Sequence, residues 1–135
     1  MKSLSLIACL ILFIGINSSC SKSGGGDGDC TETGLAFTSS PAVNSLEPPA
    51  VGPDFPLTVT VTEPLPSAGV EISVSAKPEA GGNAFFTQTK SSNTSVNNFT
   101  ITGTPQNAIS IVTITVTSKS CATNKASGSY RYSMK

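Results

Sequence analysis

The sequence predicts an all-β fold: a single antiparallel sandwich of about seven short strands. Three observations carry this expectation. Short runs alternate apolar with polar residues, the period-two signature of a strand with one buried face. Clusters of Pro, Gly, Asn and Ser interrupt those runs at roughly ten-residue intervals, the turn spacing of a sandwich. Thr, Ser, Val and Ile are plentiful, and no segment has the three-to-four spacing of an amphipathic helix, so the composition favours strands.

The first strand is expected over residues 35–38. A long break follows through Pro41, Pro48, Pro49, Gly52 and Pro53, whose prolines have no N–H to give a ladder. Residues 57–62 make the clearest strand, with Leu57, Val59 and Val61 inward and three threonines outward. Pro64, Pro66 and Gly69 turn the chain into residues 70–75, which alternate in the same way. After a break over 78–83, a strand is expected over 84–88. The polar stretch 91–97 then leads to a strand over 98–102. The turn 103–107 precedes the longest strand, 109–117, with Val112, Ile114 and Val116 on one face. Ile109 and Ile111 have the opposite parity, which predicts a bulge or a locally two-sided environment. A loop over 121–128 and a closing strand over 129–133 complete the pattern.

Ahead of this domain lies a segment of different character. Met1-Lys2 supplies a positive start, residues 4–16 are almost unbroken apolar, and Asn17-Ser18-Ser19-Cys20 is a small-residue exit. Charged, apolar, then small is the layout of an export signal. The apolar run is about thirteen residues, short of the roughly 20 that span a hydrocarbon core. Ser21-Lys22-Ser23-Gly24-Gly25-Gly26-Asp27-Gly28-Asp29 follows, a composition that behaves as a flexible spacer. This amino terminus resembles that of bacterial lipoproteins, particularly the Bacteroidetes type, whose signals often end in Ser-Cys.

The resemblance implies that Cys20 receives diacylglycerol, that cleavage falls just before it, and that the new amino group is acylated. Asn17 departs from the general lipobox, which has an apolar residue there. Leu6-Ile7-Ala8-Cys9 fits that general pattern better, but cutting at Cys9 would leave almost no hydrophobic region before the site. The organisation expected is a signal over 1–19, a lipidated tether over 20–29, and one domain over 30–135. The implied location is the cell envelope, at the outer membrane, in the periplasmic or the surface leaflet, with the covalent lipid as the membrane contact.

The strand pattern in turn resembles the immunoglobulin-like and fibronectin type III-like domains of bacterial surfaces, most closely over residues 57–74. The chain has no tryptophan, and its cysteines do not fall on the second and sixth strands as in antibody domains. With Cys9 lost and Cys20 acylated, Cys30 and Cys121 remain. They either pair or stand as separate thiols, and exposed free thiols outside the cell are a liability, which favours pairing. In an immunoglobulin-like topology the amino-terminal lead-in and the loop between the last two strands share one end. A Cys30–Cys121 bond would clamp them, with a Cα separation of about 4.4–6.8 Å.

Little in the chain moves protons. There is no histidine, which excludes Ser-His-Asp and Cys-His catalysis and the histidine-containing zinc sites. Most of the acids fall in the tether or in turns. Neither a metal site nor a cofactor is expected, and the chain reads as non-enzymatic. Losing Lys2 with the signal leaves one fewer basic side chain than the eight acidic ones, no footprint for nucleic acid. The function expected is a non-catalytic binding or structural module that engages an envelope protein through a sheet edge or loop face. The alternative is a carbohydrate-binding accessory of a polysaccharide-uptake system, using Tyr130, Tyr132 and one of Phe85 and Phe86 as a stacking platform.

Overall fold

The computed structural model describes residues 30–62 and 64–135, so the signal, Cys9, Cys20 and the tether lie outside the described residues. Seven strands make up the domain: β1 (Phe37–Ser40), β2 (Phe55–Val61), β3 (Val70–Pro78), β4 (Phe86–Ser92), β5 (Val96–Ile101), β6 (Ile109–Ser118) and β7 (Lys125–Ser133). They form a three-stranded sheet ordered β1-β2-β5 and a four-stranded sheet ordered β4-β3-β6-β7. Every strand pairing is antiparallel. The architecture is an immunoglobulin-like sandwich in which β4 pairs with β3. In the constant-type immunoglobulin arrangement the fourth strand lies on the other sheet, beside the fifth.

The core follows from the alternation. Leu57, Val59 and Val61 of β2 face Val70, Ile72, Val74 and Ala76 of β3 and Val112, Ile114 and Val116 of β6, all buried. Phe99 and Ile101 of β5 and Tyr130 and Tyr132 of β7 join the same cluster. Burying each such aliphatic side chain contributes roughly 1.5–3 kcal/mol. A one-residue slip of any of these strands would turn its whole apolar set to water, so the register is firmly specified.

Several strands begin or end away from their expected limits. β1 starts two residues late because the Leu35 N–H donates to the Asn124 side-chain oxygen at 2.8 Å, outside the ladder. β4 runs to Ser92, through residues that read as loop. Its interior is exposed on both faces, because a sheet of four strands extends past a sheet of three. With no apolar face to cover, the sequence of β4 shows no alternation. The turn between β4 and β5 thereby shrinks to residues 93–95.

Of the two outcomes expected for β6, a bulge or a locally two-sided environment, the bulge is absent. Its ladders to β3 and β7 run without a break over residues 109–118. Ile109 is 45% exposed and Ile111 half-buried, while Ser110 takes the inward position between them. β7 begins at Lys125, four residues earlier than expected, since residues 119–124 suffice for the turn. That turn is closed by Ser118 N–H to Asn124 C=O at 2.9 Å.

The connection from β1 to β2 is ordered against the molecule. Residues 42–50 lie along the outer edge of β7 in parallel, through the bridges Leu46–Arg131 and Ala50–Met134. The N–H groups of Asn44, Glu47 and Ala50 donate to the carbonyls of Ser129, Arg131 and Ser133 at 2.7–3.1 Å. Of the prolines expected to keep this segment out of a ladder, Pro48 and Pro49 sit between the Glu47 and Ala50 donors, and Pro41 and Pro53 lie outside the donor run. Gly128 makes the approach feasible: a Cβ there would stand 2.6 Å from Val43 Cγ1. The edge of β7 is thus covered by a strap of the chain's own backbone, a standard protection for an edge strand.

Candidate functional site

Cys30 and Cys121 form a disulfide with a Cα separation of 5.8 Å, within the expected range. It joins the lead-in to the β6–β7 turn, as the immunoglobulin-like topology predicts. A polar clasp surrounds it. The Glu32 carboxylate accepts from the Ser120 hydroxyl and, at 3.1 Å, from the Asn124 amide. Asn124 also donates to the Thr33 carbonyl at 3.0 Å. Hydrogen bonding from Ser118, Ser120 and Asn124 holds the Glu32 carboxyl below its ordinary pKa. Disulfide and clasp fix the end of the sandwich at which residue 30 enters the domain.

The aromatic residues give a different picture from the expected platform. Tyr130 and Tyr132 are 2% and 3% exposed and belong to the core. Their parity matches Val112 and Ser110 across the β6–β7 ladder, and that is the inward face. The Tyr132 ring packs 4.6 Å from Phe55 and 6.1 Å from Tyr130, centroid to centroid. Its hydroxyl shares a 2.6 Å hydrogen bond with Thr104 Oγ1. Burial pushes both phenols above the ordinary tyrosine pKa. Phe85 precedes β4, with its N–H bonded to the Ala76 carbonyl at 2.9 Å. Phe86 opens the strand, and both rings pack against the core. The four rings therefore offer no flat stacking surface.

The structure brings the two tyrosines to the floor of a cavity instead. Where β1 ends and the strap departs, the gap between β2 and β7 leaves a volume of about 540 Å³ lined by Glu47, Pro48, Pro49, Phe55, Tyr130 and Tyr132, among others. The size lies in the range of small-molecule sites. It sits at the start of β2 and the end of β7, opposite the disulfide. Phe55 could have been found from its parity with Leu57 and Val59. Glu47 carries no such signal, because its position depends on the strap docking against β7.

The second feature is the outer edge of β4. β4 pairs with β3 alone, and residues 87–91 are exposed. Of the other outer strands, β1 has four residues and β5 six, each pairing with β2 alone, and β7 is covered by the strap, so β4 is the longest open edge. Among the described residues no three Cys, Asp or Glu side chains converge as a metal site would need. No protein-family model, curated protein or solved structure matches the chain.

Proposed function

We propose that the chain is a lipid-anchored, non-catalytic immunoglobulin-like module of a bacterial cell envelope that docks a protein partner by strand addition at β4. The observation that carries the docking mode is the contrast between the two edges of the four-stranded sheet: β7 is sealed by the strap, whereas seven residues of β4, the longest open edge, keep one side unpaired. An added strand draws affinity from main-chain hydrogen bonds and specificity from alternate side chains. The anchoring half of the proposal rests on the amino-terminal pattern ending at Cys20. A three-chain lipid there would hold the domain to the outer membrane, since one acyl chain gives only marginal attachment. The tether would leave from the disulfide end, so both long flanks of the sandwich would stay accessible.

Proline substitution tests the docking mode. In an antiparallel edge strand, alternate N–H groups point into the ladder and out to solvent. Of the two variants Gln88→Pro and Thr89→Pro, one removes a ladder bond and the other only blocks the open edge. A photo-crosslinker placed at Thr87 in intact cells should give one discrete adduct, lost in the edge-blocking variant that keeps wild-type stability. An adduct unaffected by both prolines would place the docking surface elsewhere. The carbohydrate-binding alternative loses its platform to the burial of Tyr130 and Tyr132 and is not favoured.

A further inference from the structure

We infer that the cavity beneath the strap is a binding site for an organic primary ammonium, with Glu47 and the Tyr130 hydroxyl receiving the ammonium and Phe55 and the strap prolines enclosing its apolar body. The site is independent of the β4 edge. Its first element is an uncompensated charge. Among the described residues the one ion pair joins Arg131 to Glu79, so no cation balances Glu47. One Glu47 carboxylate oxygen accepts from Ser45 Oγ at 2.6 Å, and the other has no partner among the described residues. The carboxylate is half-buried at the cavity wall.

The second element is the Tyr130 hydroxyl. Tyr130 is 98% buried yet lines the cavity, and its hydroxyl has no hydrogen-bond partner among the described residues. The neighbouring Tyr132 hydroxyl is taken by Thr104. Glu47 and Tyr130 line the same cavity, and the Glu47 charge adds to burial in raising the Tyr130 pKa. The fully buried side-chain polar atoms without a partner among the described residues are Asn97 Oδ1 and Ser110 Oγ; the Tyr130 hydroxyl and the second Glu47 oxygen instead meet the cavity, where a ligand can bond them.

The donor set selects the ligand. An anion would meet the Glu47 charge. A purely apolar molecule would leave the carboxylate and the phenol desolvated. A quaternary ammonium has no N–H to give either oxygen, and the faces of the buried tyrosines are not open for cation–π stacking. A primary ammonium has three donors, enough to reach both oxygens, and a charge-assisted bond to a carboxylate is about twice as strong as a neutral one. The same chemistry is offered by a free alkylamine and by a lysine side chain of a peptide.

The test uses the folded domain, residues 30–135, within the full mature chain, titrated at neutral pH and followed by backbone amide NMR. The probes are n-butylammonium, the near-isosteric neutral n-butanol, and Nα-acetyl-lysine-methylamide. The two ammonium probes should saturate shifts at Glu47, Phe55, Tyr130 and Tyr132, with n-butanol at least about tenfold weaker, a difference of about 1.4 kcal/mol. Tighter binding of the lysine derivative than of n-butylammonium would assign the site to a peptide, and the reverse to a free amine. Glu47→Gln should weaken both about tenfold or more. Tyr130→Phe, which keeps the packed ring, should weaken them several-fold. Unsaturable shifts, equal binding of n-butanol, or ammonium binding unchanged in both variants would overturn the assignment.

Discussion

The Lys90 ammonium stands 5.9 Å from the centroid of the Phe99 ring, across the open side of the sandwich. Lys90 lies opposite Ile72 in the β3–β4 ladder, so it shares the inward face of the four-stranded sheet. No strand of the smaller sheet covers that position. Its methylene stem spans the gap beside the core while the charge stays in water. An inward-pointing charge is also one of the ways an edge strand is kept from pairing at random.

Lys90→Ala should therefore do two things at once. Loss of the cation–π contact should cost about 0.5–1 kcal/mol, the range for exposed pairs, read as a fall in the urea midpoint with an unchanged slope. Self-association should rise, measured by sedimentation at increasing concentration. Wild-type behaviour in both would show that Lys90 neither closes the core nor guards the edge.

Reducing the Cys30–Cys121 bond should lower stability by about 2–4 kcal/mol, because it closes a long loop in the unfolded chain. Urea unfolding with and without reductant, and the Cys30→Ser, Cys121→Ser double variant, measure this. Amide exchange should accelerate first at the β6–β7 turn and the Glu32 clasp.

Tyr132→Phe leaves Thr104, itself 7% exposed, without the partner of its hydroxyl. An orphaned buried polar group costs about 1–3 kcal/mol. Tyr132→Phe combined with Thr104→Val should recover part of that loss in a double-mutant cycle. Additive losses would mean that the 2.6 Å contact contributes no coupling.

Alkaline titration follows from the same burial. Tyr130 has its pKa raised above the ordinary 10.0 by desolvation, with smaller contributions from Tyr132 and Glu47. The unfolded phenol loses its proton first, so the stabilisation is complete below about pH 10 and is lost as pH rises toward the folded value. Thermal melts between pH 9 and 12 should fall more steeply for wild type than for Tyr130→Phe.

Gly128→Ala places a methyl group against Val43 and should lift the strap from β7. Hydrogen exchange at Asn44, Glu47 and Ala50 should lose protection while the centres of β3 and β6 keep theirs. Unchanged protection would mean that the strap accommodates the methyl.

The sandwich was legible in the sequence wherever a strand has one wet and one dry face. Leu57, Val59 and Val61 alternate with threonine because water lies on one side only, and the same holds for Val70 to Val74 and Val112 to Val116. β4 was placed too early because both its faces are wet and its residues carry no period. Tyr130 and Tyr132 enter the carbohydrate-binding alternative as a surface platform because parity says that two residues share a face, not which face. The ladder to Val112 settles that. Glu47 and the strap were hidden for a further reason. A proline-rich run reads as a break, and its remaining N–H groups find partners only once β7 is formed beside it.

The anchor at Cys20 is the claim on which the envelope assignment depends, and mass spectrometry of the amino-terminal peptide from isolated membranes tests it directly. The account predicts a peptide that begins at Cys20, with a diacylglyceryl thioether and an acylated amino group. A peptide that still carries residues 1–19, with Cys20 unmodified, would contradict it.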